Sequence, residues 1–338
     1  MVGIAEVARA AGVSPATASR ALTGRGYVAA ATRDRVARTA RELGYVASRS
    51  AANLVTGRTQ TVAVLVPTLS RWFFAEVVEG AQSALWAEGH ELALYAAAAG
   101  TPVRTEVFDA LLSSKRFDGI VAVGIEPDSR EEERLAAFGR PVVGVGAHSV
   151  AVPSVGIDDA ATARVAAEHL VELGHRDICF IGGPPDGGSH GDRQRVAGAQ
   201  AALHEAGLPV PMRVIDCAST TTPDGFAAAG AVLADRRTRP TALVAVCDEV
   251  AVGASIAARR LGIRVPADLS IVGIDDHPMA EMFSLTTMRQ RPREQGERAV
   301  QLLMRGIRHP DAAPDAATAL TQLVVRGSTA EPRTAARG

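Results

Sequence analysis

Few residues in this chain are spaced for catalysis. Its eight histidines are scattered and none falls in a His-Glu-x-x-His pair. His169 and His175 lie six apart, on a helix and its exit, which makes no metal pair. No Walker A loop is present, and Gly144-Val145-Gly146 lacks the third glycine of a dinucleotide fingerprint. Cys179, Cys217 and Cys247 sit apart in apolar runs, as buried reduced thiols do. No catalytic residue, metal or cofactor is therefore expected. Two other groupings can bind without reacting. Ser14, Thr17, Ser19 and Arg20 offer hydroxyls and a guanidinium along one short segment, a set suited to phosphates and base edges. Asp248 and Asp275 are carboxylates that stand after apolar strand-like runs.

The elements that must position the first set lie in the first sixty residues. Ile4, Val7, Ala8 and Ala11 recur at helical spacing, and Gly12 ends that helix. Ser14 can cap a second helix and Pro15 suits its first position, because the missing N–H would be unpaired there. Ala18 and Leu22 form its inner face. A third helix is expected from about Thr32 to Leu43, with Val36, Ala40 and Leu43 turned inward. Two short helices joined by a glycine turn with a third behind them make a helix-turn-helix. Residues 1–60 carry nine arginines against Glu6, Asp34 and Glu42, a net charge of +6; with −1 overall the remainder carries −7. A basic head on an acidic body fits a head that binds nucleic acid.

From Thr61 onward, strand-like runs alternate with amphipathic stretches. The runs are Val62–Val66, Leu92–Tyr95, Gly119–Val123, Val142–Val145, Val155–Ile157, Ile178–Ile181, Val214–Asp216, Ala242–Val246 and Leu269–Ile274. The pattern predicts parallel sheets covered by helices on both faces. A break near Asp158–Asp159 divides it into two similar lobes with a cleft between them.

The run from Ile4 to Leu22, IAEVARAAGVSPATASRAL, resembles the signature of the LacI/GalR family of transcriptional regulators, and so does Thr32-Arg33 through Glu42-Leu43-Gly44-Tyr45. The likeness continues through the body, in Val64-Leu65-Val66-Pro67, Phe117-Asp118-Gly119-Ile120, His169–Arg176, Ile181–Pro184, Val272–Asp276 and Leu285–Gln290. The resemblance implies roles residue by residue. The two positions after the capping Ser14, here Pro15 and Ala16, read bases in the family. Neither can hydrogen-bond a base edge, so direct readout falls to Arg20, with thymine methyls left to Pro15 and Ala16. Thr17, Ser19 and Tyr45 resemble phosphate contacts. Ala47–Gly57 resembles the family's hinge helix, with Ser48, Ala51 and Leu54 as its DNA-contacting positions and Leu54 as a minor-groove wedge. The family's Pro-Asn opening is replaced by Ala47-Ser48. A helix this short is not stable alone in water, so its ordering is expected to couple to DNA binding.

For the cleft, the resemblance implies that Phe73, Phe74, Arg195, Asp248 and Asp275 line an effector site. The family's common Ser-Asn-Pro before the aromatic pair is here Ser70-Arg71-Trp72, which brings a charge and a ring to the pocket mouth. An arginine with carboxylates suits a polyhydroxylated ligand through charge-assisted hydrogen bonds. Thr220 or a neighbour stands where some members carry a base-stacking aromatic, which disfavours a purine.

The fold class expected is α/β: an N-terminal three-helix helix-turn-helix head and a two-lobed body resembling periplasmic binding proteins, with parallel sheets. The divisions are residues 1–46 for the DNA-binding domain, 47–59 for the hinge, and 60–338 for effector binding and dimerisation. Lobe 1 takes about 60–158 and 290–320, and lobe 2 about 159–289 and 321–330, with crossings near Asp158, Arg289 and Thr321. The function expected is a sequence-specific transcriptional regulator, a repressor, bound as a homodimer to palindromic operator DNA and switched by a small polar, sugar-like effector. The alternative is a stand-alone sugar-binding protein. The N-terminus shows no signal peptide and no apolar run approaches a membrane span, so a cytoplasmic protein without membrane partners is expected. The tail Ser328–Gly338 has no leucine heptads, which favours a dimer over a coiled-coil tetramer.

Overall fold

The computed structural model describes residues 2–24, 26–45, 58–113, 116–146, 152–183, 188–311 and 316–333. The chain forms two compact units, residues 1–60 and 61–338.

In the first unit, α1 (Ile4–Ala10), α2 (Pro15–Thr23) and α3 (Ala30–Glu42) close over Val7, Ala8, Ala11, Ala18, Ala21, Val28, Val36 and Ala40. Ser14 caps α2, accepting from the Thr17 N–H at 3.1 Å, and Pro15 takes the first helical position. The Arg35 Nε donates to the Ala11 carbonyl at 3.1 Å and ties α3 to the end of α1. Leu43, expected inside, is 39% exposed. Helix α3 stops at Glu42, and Gly44, at φ +63°, reverses the chain so that Tyr45 packs on the core in its place. Only a residue without Cβ adopts that φ freely.

The second unit holds two six-stranded sheets. The first has the order β11-β5-β4-β3-β1-β2, from β1 (Thr61–Val66), β2 (Glu91–Ala96), β3 (Gly119–Val123), β4 (Val142–Val145), β5 (Ser154–Ile157) and β11 (Ala317–Ala319), and every pair is parallel. The second runs β12-β10-β9-β8-β6-β7, from β6 (Ile178–Ile181), β7 (Val214–Ile215), β8 (Ala242–Ala245), β9 (Ser270–Asp275), β10 (Thr286–Arg289) and β12 (Gln322–Val324). There only the edge pair β10–β12 is antiparallel. Alternation along β1 shows why both faces need cover. Val62, Val64 and Val66 meet α4 (Trp72–Ala87) and the helix Pro292–Arg308, while Ala63 and Leu65 meet α5 (Pro102–Ser113). Helix α6 (Ser129–Ala137) adds Leu135 to that second face. Around the second sheet stand α7 (Asp159–Glu172), α8 (His190–Glu205), α9 (Thr222–Ala234), α10 (Asp248–Arg260) and α11 (Pro278–Met282), and Pro292–Arg308 is α12.

The chain passes between the sheets three times, after Ile157, after Arg289 and after Ala319. Helix α12 therefore follows a second-sheet strand yet packs on the first sheet. It lies against α4 with glycines at the contact, since a Cβ on Gly296 would stand 2.1 Å from the Val77 carbonyl oxygen. Among the described residues, no helix is long and apolar enough to cross a membrane.

Candidate functional site

Helix α2 of the head turns Ala18 and Ala21 inward and leaves Ser14, Pro15, Ala16, Ser19 and Arg20 exposed. Thr17 is half-buried, with its hydroxyl 2.9 Å from that of Ser14. The exposed face thus presents a proline ring, a methyl, a hydroxyl and one guanidinium. Tyr45 is half-buried on the head core, so its ring serves packing as well as any outward contact. Ser48, Ala51 and Leu54 lie outside the described residues. The sequence reading passed over Tyr27, which is 95% exposed on the turn between α2 and α3. Nothing in its spacing marks it, because a tyrosine in a glycine-rich turn carries no periodicity.

In the body, the carboxyl ends of the two sheets face a common cleft. On the first lobe, Phe73 and Phe74 open α4, with ring centroids 5.7 Å apart in an edge contact. Glycines that end the neighbouring strands make room for both rings. A Cβ on Gly146 would stand 3.2 Å from the Phe73 ring, and one on Gly124 would overlap Phe74.

On the second lobe, the Arg195 Nε donates to Asp159 Oδ1 at 2.7 Å, and its Nη1 donates to the Val246 carbonyl at the end of β8. Burial opposes the Arg195 charge, but Asp159 and Asp275 outweigh it and hold the guanidinium charged. Asp275 ends β9 at φ +132°, a conformation rare for a residue with a side chain. Burial pushes its carboxyl up, while Arg195 and a hydrogen bond from Gln290 pull it down. The Gln290 Nε2 donates to Asp275 Oδ1 at 2.6 Å, and Gln295 Nε2 of α12 donates to Gln290 Oε1 at 2.9 Å. This buried amide relay joins the end of β9 to a helix of the other lobe.

Asp248, expected to meet the ligand, is engaged within the second lobe. It is fully buried, its Oδ1 accepts from the Thr287 hydroxyl at 2.7 Å, and its Oδ2 accepts from the His277 N–H at 2.8 Å. It holds the turn after β9 in place, with one hydrogen bond on each oxygen. Burial, and next the charge of Asp275, push its carboxyl well above the usual carboxylate range.

The two lobes also touch directly. Arg71, at the N-cap of α4, donates from Nε to Glu249 Oε2 at 2.6 Å and from Nη1 to the Thr220 hydroxyl. Trp72 meets the His277 ring edge-on at 5.0 Å between centroids. At another point the His190 N–H donates to the Glu126 carboxylate. A cavity of about 250 Å³ lies between the lobes, lined by Ser154, Asp158, Asp159, Gln194 and Thr318 among others. It adjoins the Arg195–Asp159 pair. Asp159 was passed over in the sequence, although an acidic pair directly after a strand was its signal. Among the described residues, the second lobe brings adjacent donors and acceptors at Arg195–Asp159 and a carboxyl at Asp275, and the first lobe brings the Phe73 and Phe74 rings, groups suited to holding a polar molecule.

Comparison with known proteins adds to this geometry. Residues 3–48 match the family described as bacterial regulatory proteins, lacI family, and residues 167–329 match the periplasmic binding protein-like domain. The chain is 34% identical over 334 residues to the HTH-type transcriptional regulator DegA of Bacillus subtilis (strain 168), covering 96% of this chain and 97% of that one. Among solved structures, a complex of the transcriptional regulator CelR with cellobiose is 30% identical with a TM-score of 0.72, covering 97% of this chain and all of that one. The lac repressor dimer bound to operator and an anti-inducer is 26% identical with a TM-score of 0.88, covering 97% and 99%.

Proposed function

Because the chain belongs to the lacI family of bacterial regulatory proteins, a family of transcription regulators and not of enzymes, we propose that it is a cytoplasmic, homodimeric repressor whose hold on a palindromic operator is switched by a neutral sugar. The head, residues 1–46, enters the major groove with α2, where Arg20 pairs with a guanine and Pro15 and Ala16 touch thymine methyls. Ser14, Thr17, Ser19 and Tyr45 meet the backbone. Segment 47–59 is the hinge, with Ser48 and Ala51 at the minor groove and Leu54 as the wedge that bends it. The operator-bound lac repressor dimer and the cellobiose-bound regulator support this reading by analogy.

The observation that carries the effector assignment is the Arg195–Asp159 pair on one lobe, with Asp275 acting on the same guanidinium, and the Phe73–Phe74 pair at the strand ends of the other. Donor and acceptor side by side match vicinal hydroxyls, and the rings match a sugar's C–H face. Asp159, Glu249 and Asp275 outnumber Arg71 and Arg195, so the cleft favours a neutral polyol over a phosphate or carboxylate ligand. Asp248 positions the turn behind the site. A sugar shifts the operator equilibrium only by its difference in affinity between two lobe settings.

The test is a thermal-shift screen of the full chain against neutral sugars, sugar phosphates and nucleosides, followed by footprinting with each hit. Two related half-sites protected about a common centre, with protection altered by a neutral sugar, support the reading. A single unrepeated half-site, or hits confined to anionic ligands or nucleosides, would overturn it.

A further inference from the structure

Arg71 joins the two lobes directly. Arg71 belongs to the first lobe, where it sits at the N-cap of α4. Its three partners stand at the starts of second-lobe elements: Thr220 lies just before α9, Cys247 caps α10 and accepts from Nη2 at 3.7 Å, and Glu249 is the second residue of α10. The pair is largely shielded, with side chains 16% and 17% exposed. The adjacent residue grips the same lobe, since the Trp72 ring packs on His277. In a two-lobed binding fold, closure ordinarily draws on the ligand's own contacts to both halves. Here a guanidinium attached to one lobe supplies such contacts to a carboxylate and a hydroxyl on the other.

We propose that Arg71 and Glu249 form a ligand-independent latch that holds the lobes together at the cleft mouth, and that an effector enters by displacing Arg71 from Glu249 and Thr220. A charge-assisted hydrogen bond of this kind biases a two-state equilibrium on the order of tenfold or more. The group released has acceptors facing it, namely Glu249 and Thr220. The displacing part of the ligand is therefore rich in donors, such as hydroxyls. This last point rests on the reading of the cleft as a sugar site; the latch itself does not.

Trp72 supplies a local probe. The chain has two tryptophans, and the other, Trp86, is 75% exposed at the far end of α4. In a W86F background, emission reports Trp72 alone. Removing either latch partner, by Glu249→Gln or Arg71→Ala, should shift the emission to the red and raise its quenching by acrylamide. Combining them should add nothing beyond the larger single effect, because one interaction is lost only once. Glu249→Gln keeps the shape of the side chain, and far-UV circular dichroism confirms that each variant is folded. Unchanged quenching in folded Glu249→Gln would overturn the latch, and so would effects that simply add in the double variant. The measurement uses neither DNA nor sugar, so its failure leaves the proposed function standing, and the converse holds as well.

Discussion

Replacing Arg195 by alanine tests the cleft where structure and binding meet. The change removes a charge-assisted hydrogen bond to Asp159 and another to the Val246 carbonyl, and leaves buried Asp275 without the cation that most draws its carboxyl down. Bonds to charged groups contribute about 1.5–3 kcal/mol each, and breaking a buried pair costs about 3–5 kcal/mol. Asp159 is 21% exposed and can rehydrate, which places the loss near the lower end, at about 3 kcal/mol. For a body of this size, roughly 2–4 °C is lost per kcal/mol, so the melting temperature should fall by about 6–12 °C. On the proposed function, sugar affinity should fall further than stability alone explains, because the donor fork assigned to the ligand is gone. Arg195→Lys keeps the charge without the fork, and should recover part of the stability and little of the affinity. Differential scanning calorimetry and titration with a sugar from the screen measure both. A melting temperature within a degree of the parent, or full sugar affinity in the folded alanine variant, would refute the reasoning.

Arg20 is exposed on α2, so Arg20→Ala should leave the head's melting unchanged while losing about 1–3 kcal/mol of discrimination at one base pair per half-site; binding to variant operators measures it, with Ser19→Ala expected to weaken all sequences alike. With Leu54 as the proposed wedge, Leu54→Ala should reduce operator bending in a circular-permutation gel together with affinity, since the bent duplex returns the few kcal/mol of unstacking through wider contact. Asp248 has its carboxyl pushed above the ordinary range by burial, so the folded state favours its protonated form. Its contribution to stability is full below the unfolded carboxylate pKa and is lost as pH rises toward the raised folded value. Asp248→Asn, whose amide can donate to Thr287 and accept from His277, should therefore gain on the parent as pH rises from mildly acidic to mildly basic in urea unfolding; a constant difference across pH would count against the assignment.

Local chemistry made the head legible. The Ser14 cap, Pro15 at the first helical position and the Gly12 stop are short-range effects that act within a few residues, and the helices formed where those signals stand. Leu43 misled because its helical spacing continued past the true end of α3, and the reversal at Gly44 handed its place to Tyr45. The long apolar strands could be read from their runs of Val, Ile and Leu. The strands β10, β11 and β12 could not. They are three or four residues long, include polar side chains, and exist through pairing with distant partners such as β9 and β5. In the cleft, the residue types were legible and the partnerships were not. Nothing near Arg195 in the chain announces Asp159, and Arg71 finds Glu249 across 178 residues. Asp248 stood in the right place after its strand, but only the fold shows that Thr287 and His277 take both its oxygens.

The central claim is that one chain couples a sugar in the cleft to an operator at the head. Isothermal titration of the full-length protein with a neutral sugar, run with and without saturating operator duplex, tests it most directly. Coupling of about 1–3 kcal/mol predicts that operator changes sugar affinity roughly 5–150-fold, and that sugar changes operator affinity by the same factor. Equal sugar affinity in the two titrations would contradict the account.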